Sequence, residues 1–338
     1  MFHFCTYFDQ HYLSRGLALY RSLRERCPDF QLWVLCMDST AYRILKELRL
    51  PSVHPIGLEE FERDDEPLRI AKTNRSRIEY YFTCTPCLPL YLLNKQPEID
   101  LITYLDADLF FFASPAPLFE EMGKGSIAII AHRFPPNSSS AEVVGTYNVG
   151  FLSFRRDRNG LACLQWWRQR CIEWCYDRKE NGRFGDQKYL DDWPTAFQGV
   201  VVLQHKGANL GSWNVRNYRL SYDGQSVFVD DQPLICVHFD SLRRPKKWLY
   251  VLVWTARDLH SLCVLRRGIV LPYLRNLQET ASLKLCQAGG TGGGIRTHPT
   301  RPGADLPGLS VVDFRTLVDI AKYLLRGRYY LSVFGRLI

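Results

Sequence analysis

The sequence predicts an α/β fold in which a mixed, mostly parallel sheet is flanked by helices, and three observations lead there. Residues 2–48 alternate strand, helix, strand, helix, a rhythm that builds a parallel sheet through right-handed crossovers. An apolar run at 101–105 ends in Asp106-Ala107-Asp108 and resumes as three phenylalanines after Leu109. Two more strand-like stretches, 126–131 and 146–154, follow it. With 338 residues, 46% hydrophobic and 23% charged, the chain can bury one large core and carry an appendage.

In order, residues 2–7 read as the first strand. Residues 12–26 form an amphipathic helix with Leu13, Leu17, Leu19, Tyr20 and Leu23 on its apolar side. A second strand spans 31–37 and a second helix 41–48. Asp64, Asp65 and Glu66 open a polar loop, and 74–93 is helical, with Pro86 and Pro89 expected to kink or split it. Arg75 and Arg77 stand at its start, either within reach of a phosphate or as solvated surface. In the strand at 146–154, Gly150 signals close approach of something to the backbone, and Asn148 is polar at a strand-like position. The helix at 160–176 carries Trp166, Trp167 and Trp174, which points to core packing. Asp186 sits where an N-cap is expected. After a strand at 200–204 and a loop of small residues at 206–214, residues 227–229 and 234–237 read as a hairpin. Its second strand delivers His238, followed by Arg243, Arg244, Lys246 and Lys247.

The net charge of +8 is concentrated in the tail, since residues 251–338 hold twelve Lys and Arg against five acids. This divides the chain at about residue 250 into a main domain, 1–250, and a basic helical appendage, 251–338. A Gly/Pro-rich linker at about 287–308 is not a phosphate-binding loop, because no Gly-Lys-Ser/Thr follows it. The basic amphipathic segment 311–338 suits either an anionic membrane surface or a cap on the domain. Eleven cysteines without a compact framework, and no basic leader before the first strand, point to a reduced, cytoplasmic protein, peripheral at a membrane at most. No apolar run is long enough to span a bilayer. No nucleic-acid partner is expected. Cys84, Cys87, Cys171 and Cys175 could ligate zinc, but no histidine stands near them in sequence to support that reading.

Asp is depleted in buried strands, so the Asp106/Asp108 pair asks for an explanation. Both side chains of an Asp-x-Asp at a strand end fall on one face, within reach of one hard divalent cation. The plainer alternative is a polar turn between two short strands. Its place at the carboxyl edge of the sheet, where open α/β folds bind ligands, favours the cation. A cation there, with the basic run after His238, would stabilise negative charge on a departing diphosphate.

Four motifs in order, Asp106-Ala107-Asp108, Asn148-Val149-Gly150, Asp186-Gln187, and His238-Phe239 with Arg244-Pro245 six residues on, resemble the GT-A glycosyltransferases. Within them the resemblance is to the retaining family eight, which includes glycogenin and bacterial lipopolysaccharide galactosyl- and glucosyltransferases. It covers about residues 1–250. It implies a Rossmann-like nucleotide-diphospho-sugar transferase fold, with Mn²⁺ or Mg²⁺ held by Asp106, Asp108 and His238. It also implies Asn148, Asp186 and Gln187 beside the donor sugar and acceptor, and Thr6, Tyr7 and Tyr12 near the base. Arg77 would touch the donor, and Arg244, Lys246 and Lys247 the diphosphate. The chain departs from the family pattern at Ser241, where Gly is usual, and in reading Arg244-Pro245-Lys246-Lys247-Trp248 for Lys-Pro-Trp.

The implied activity is transfer of a hexose, from UDP-glucose or UDP-galactose, to a glycan or lipid-linked acceptor in surface polysaccharide biosynthesis. Asp186 is the nearest carboxylate for a covalent intermediate, front-face attack being the other route to retention. A degenerate, non-catalytic transferase acting as a membrane-surface binding module is the alternative, and intact Asp106, Asp108 and His238 weigh against it. A sugar-nucleotide pyrophosphorylase would need a Gly-rich loop after the first strand, where the chain has Thr6-Tyr7-Phe8-Asp9.

Overall fold

The computed structural model describes residues 1–136, 138–246, 249–252, 254–287, 329–333 and 336–337. The expected linker beyond residue 287, most of the segment 311–338, and Lys247 lie outside the described residues.

The first half runs β1 (Phe2–Phe8), α1 (Leu13–Arg26), β2 (Phe30–Cys36), α2 (Ser39–Leu48), β3 (Val53–Gly57), α3 (Leu58–Glu62), α4 (Glu66–Thr73), α5 (Arg77–Lys95), β4 (Leu101–Leu105), β5 (Leu109–Phe111) and α6 (Ala116–Met122). Then come β6 (Ile127–Ala131), α7 (Ser140–Val144), β7 (Tyr147–Arg155), α8 (Arg158–Glu173), a 3₁₀ turn (Lys188–Asp192), α9 (Trp193–Ala196) and β8 (Val200–Leu203). The seven-stranded sheet has the order β3-β2-β1-β4-β7-β6-β8. Every pairing is parallel except those of β7, which runs antiparallel to both β4 and β6. This is the mixed, mostly parallel, helix-flanked architecture expected of the GT-A fold.

Strand alternation explains the two-sided core. Cys5 of β1 and Trp33 and Leu35 of β2 face one layer, with α5 and α8. Phe4 and Phe8, with Leu32 and Val34, face the other, with α1 and α2. Residues i and i+2 share a face of a strand, so both sides of such a strand must be apolar.

Helix α5 corrects one expectation. It runs as one unbroken helix through Pro86 and Pro89 and is not split into two. Ser76 and Glu79 form a reciprocal capping box at its start. Within it, the Thr83 hydroxyl and Cys87 thiol donate to the carbonyls of Glu79 and Thr83, and eleven of its nineteen residues are buried. Burial of this face outweighs the two lost backbone hydrogen bonds, so the proline penalty does not break the element.

The later chain forms β9 (Leu220–Tyr222), β10 (Val227–Val229), β11 (Gln232–Pro233), β12 (Cys236–His238), β13 (Arg243–Lys246), β14 (Leu249–Val251), α10 (Leu259–Val264), a π-helical turn (Leu265–Val270) and α11 (Leu271–Gln287). The expected hairpin between 227–229 and 234–237 forms only in part: the chain turns at 230–231 and the Leu234 amide donates to the Val227 carbonyl at 2.8 Å, but 236–238 do not continue it. Strand β10 pairs with β9 and the short β11, whereas β12 leaves to pair antiparallel with β5. The Gly207 carbonyl accepts from the amides of Ile235 and Cys236 at 2.8 and 3.1 Å, which draws the segment away. A side chain at Gly207 would strike the Pro233 carbonyl, so this crossing needs glycine.

Helix α11 packs on α1, with the Thr280 hydroxyl donating to the Ser14 carbonyl at 3.1 Å. Tyr273 stacks on Phe239 with centroids 3.8 Å apart. Residues 329–333 and 336–337, expected in an amphipathic tail, form two strands, β15 and β16, and β15 pairs with β14. Among the described residues no helix is long and apolar enough to cross a membrane.

Candidate active site

Two registers build the site. β4 ends at Leu105, and the amide of Asp106 donates to the Gly150 carbonyl at 3.0 Å, placing the first acid beside β7. In the β5/β12 ladder His238 lies opposite Leu109, and the Phe239 amide donates to the Asp108 carbonyl at 3.0 Å. Residues more than a hundred apart in sequence therefore converge. His238 Nε2 lies 3.4 Å from Asp106 Oδ2 and 3.1 Å from Asp108 Oδ1. One ligand atom from each of the three residues falls within 4.8 Å of the others, the only such group among the described residues.

Each carboxylate has its second oxygen engaged elsewhere. The Tyr104 hydroxyl donates to Asp106 Oδ1 at 2.7 Å, and Arg15 Nη1 to Asp108 Oδ2 at 3.1 Å. Burial by itself would lower the basicity of His238, but Asp108 and Asp106 overcome it and push the imidazole up to about 9. Burial works to raise Asp108, yet His238 and Arg15 hold it down at about 2. Asp106 moves the other way: burial raises it, and the neighbouring Asp108 adds to that.

Gly150 is fixed by this geometry. A Cβ there would lie 2.7 Å from Asn148 Oδ1 and 2.8 Å from the Nδ1 and Cε1 atoms of the His238 ring. We therefore expect Gly150→Ala to displace His238 and to weaken divalent-cation binding at least tenfold while the protein still folds; calorimetric titration with Mn²⁺ checks it, and unchanged affinity would show the ring to be free to move.

Asn148 is buried and fully engaged by the protein. Its Oδ1 accepts from the Gly150 amide (2.9 Å) and Asn209 Nδ2 (3.0 Å), and its Nδ2 reaches Gln187 Oε1 and His132 Nε2, both at 3.2 Å. An amide has two donors and two lone pairs, so this side chain organises its neighbours. Gln187 also accepts from the Val149 amide and donates to the Val144 carbonyl. Asp186 is 4% exposed, its Oδ2 has no hydrogen-bond partner, and burial, with Asp106 adding, pushes it up to about 7. The expected N-cap role is not what the side chain does, because the turn that follows has no side-chain cap.

At the end of β1, the Tyr7 hydroxyl meets Thr85 Oγ1 at 3.2 Å, while Thr6 is fully buried with Oγ1 unpartnered. Tyr12 precedes α1 and lies under the Arg15 guanidinium, 4.6 Å from its ring centre. Arg77 is 3.8 Å from Asp9. Arg75 donates to the Tyr176 hydroxyl and the Ile172 carbonyl, with its guanidinium over the Tyr176 ring. Arg244 of β13 stacks over Tyr250, and the backbone of Lys246 ends the same strand.

Four residues that sequence reasoning passed over belong here. Asp9 accepts from the amides of His11 and Tyr12 and from the Tyr81 hydroxyl. Arg15 and Tyr104 hold the two acids. Trp213 packs edge-on against both His132 and His238, with centroids 5.3 Å away from each. Tyr104 was legible in principle, since two residues before Asp106 on an extended strand means the same face.

No protein-family model matches the chain. The uncharacterized protein YfnD of Bacillus subtilis strain 168 is 32% identical over 281 residues, which covers 82% of this chain and 89% of YfnD. YfnF of the same organism, also uncharacterized, is 35% identical over 248 residues, 71% of this chain and 81% of YfnF. Among solved structures, galactosyltransferase LgtC in complex with donor and acceptor sugar analogs is 16% identical, with a TM-score of 0.47, covering 70% of this chain and 86% of that one. The identity and coverage shared with the two Bacillus proteins make this chain a member of the family of YfnD and YfnF.

Proposed function

We propose that the protein is a metal-dependent glycosyltransferase that moves a hexose from a nucleotide-sugar donor to a glycan or lipid-linked acceptor. The observation that carries this reading is the convergence of Asp106, Asp108 and His238 at the carboxyl edge of the sheet, where open α/β folds take their ligands. The donor set fits a hard divalent cation such as Mn²⁺ or Mg²⁺: two carboxylate oxygens, an imidazole nitrogen, and neighbouring hydrogen bonds that fix both acids. A cation held there offsets charge building on the oxygen of a departing diphosphate.

The chain's own residues divide the remaining work in this reading. Tyr7 near the end of β1, with Tyr12 and Arg77 held at Asp9, takes the nucleoside end. The basic strand β13, with Arg244 and Lys246, lies close after His238 in sequence and takes the diphosphate. Asp186 and Gln187 face the reacting sugar, and Asn148 holds Gln187 in place. A nearly dry carboxyl such as Asp186 is suited to hydrogen-bond a sugar hydroxyl or to stabilise positive charge on the ring as the donor bond breaks. We take the donor to be UDP-glucose or UDP-galactose, the transfer to be retaining, and the pathway to be surface polysaccharide synthesis.

Screening UDP- and GDP-sugars for hydrolysis with and without Mn²⁺ tests the reading. Metal-dependent release of one nucleoside diphosphate is expected. Binding of UDP without turnover of any sugar nucleotide would favour a non-catalytic binding module instead.

A pH dependence follows. With His238 at about 9 in the metal-free protein, the cation must displace a proton from it, because an imidazolium cannot ligate. Apparent Mn²⁺ affinity should rise about tenfold per pH unit between about pH 6 and 8, with a proton released on binding. Titrations in buffers of different ionisation enthalpy measure this, and a flat profile would show that the cation displaces no proton from His238.

A further inference from the structure

We propose that Arg15 is a positioning residue for the metal centre, locking together the two segments that supply its ligands. The inference rests on the metal reading above and adds a residue to it. Arg15 lies on α1, which contributes no ligand, and its side chain is only 17% exposed. Its Nη1 donates to Asp108 Oδ2 at 3.1 Å, and its Nη2 to the carbonyl of Leu242, four residues beyond His238, at 2.5 Å. One planar guanidinium thus bridges the turn that carries Asp108 and the segment that follows His238.

Its position on Asp108 is selective. Oδ2 is occupied, which leaves Oδ1, the atom 3.1 Å from His238 Nε2, turned toward the ligand group. Tyr104 does the same for Asp106, taking Oδ1 and leaving Oδ2 on the His238 side. The guanidinium is itself held over the Tyr12 ring, and its Nη1 lies 3.4 Å from the Tyr12 hydroxyl. A flexible ammonium is a point donor and cannot reproduce this planar two-armed contact.

Positioning and simple charge balance predict opposite results. Removing a cation that only offsets negative charge should tighten divalent-cation binding, because the ion then meets less repulsion. Removing a clamp should weaken it. Calorimetric titration of the full chain with Mn²⁺ alone, together with the EPR spectrum of the bound ion and the melting temperature, separates the two in the parent, Arg15→Met and Arg15→Lys. We expect R15M to bind Mn²⁺ about 10- to 100-fold more weakly, and R15K to lose affinity as well despite keeping its charge. The Mn²⁺ spectrum should broaden or split differently in both.

Parent-like or tighter Mn²⁺ binding in both variants overturns the proposal, including the case where only the melting temperature falls. Should R15M fail to fold, R15K decides: parent-like affinity and spectrum overturn the clamp, and weakened binding at an unchanged melting temperature supports it. If the parent itself binds no Mn²⁺, the metal reading fails and this proposal with it, a result distinct from parent binding with unaffected variants.

Discussion

Under the proposed function, Asp108→Asn is expected to abolish Mn²⁺ binding and, with it, metal-dependent turnover of a sugar nucleotide. Asp108 is held at about 2 by His238 and Arg15 against the effect of burial, so it is a carboxylate at every working pH. The asparagine keeps the shape and loses the charge. A neutral amide offers one oxygen, and a hard divalent cation needs anionic oxygen to replace the water it gives up. The loss in affinity should be on the order of a hundredfold or more, larger than the effect of altering a residue that only supports a ligand. The metal-free variant should also melt lower, because His238 and Arg15 lose the anion they share, and breaking a buried ion pair costs about 3–5 kcal/mol. Calorimetry with Mn²⁺ and a donor-hydrolysis assay on one preparation measure both effects. Retained binding and retained hydrolysis would remove Asp108 from the mechanism.

Asp186→Asn stabilises the metal-free protein above neutral pH and leaves it nearly unchanged in acid. Asp186 is buried without a partner for Oδ2, and burial, with Asp106 adding, pushes it up to about 7. In the unfolded chain the same carboxyl ionises near 3.8. Between about pH 4 and 7 the folded state therefore binds a proton that the unfolded state has lost, so stability falls as pH rises through that window. Above about 7 the full penalty is in place. Three pH units at about 1.4 kcal/mol each set the scale at roughly 4 kcal/mol. The asparagine cannot ionise, so the difference between variant and parent should grow from near zero at pH 4 to several degrees in melting temperature at pH 8. Chelator-treated protein is the material to use, since a bound cation would hold the carboxylate ionised. Parallel curves across the whole range would mean that Asp186 is already charged in the fold. Under the proposed function the same variant should lose transfer activity, because a site held dry at this cost has a use for the carboxyl.

The sheet was legible because hydrophobic periodicity and strand-helix alternation are local properties: residues 2–48 needed no distant information to be placed. The acids were legible because Asp106 and Asp108 interrupt an apolar strand, a conflict with local propensity of the kind that marks functional positions. Gly150 was read as a point of close approach, and the groups that approach are the Asn148 amide oxygen and the His238 ring. What failed was non-local. The path of 235–238 depends on Gly207 and on a ladder with β5, a partner more than a hundred residues away, so the local hairpin ends at Leu234 instead of running to 237. Two prolines looked like breaks in α5 because sequence shows their local penalty and not the burial around them. Arg15 was invisible for a related reason. On an amphipathic helix an arginine reads as solvated surface, and only the return of the chain after His238 encloses it.

The most direct test is anomalous diffraction at the manganese edge from crystals grown with Mn²⁺ and UDP. A single strong peak within about 2.0–2.6 Å of Asp106, Asp108 and His238, touching the diphosphate, is the expected result. Manganese bound elsewhere, or UDP bound at the sheet edge with no manganese beneath its phosphates, would contradict the account.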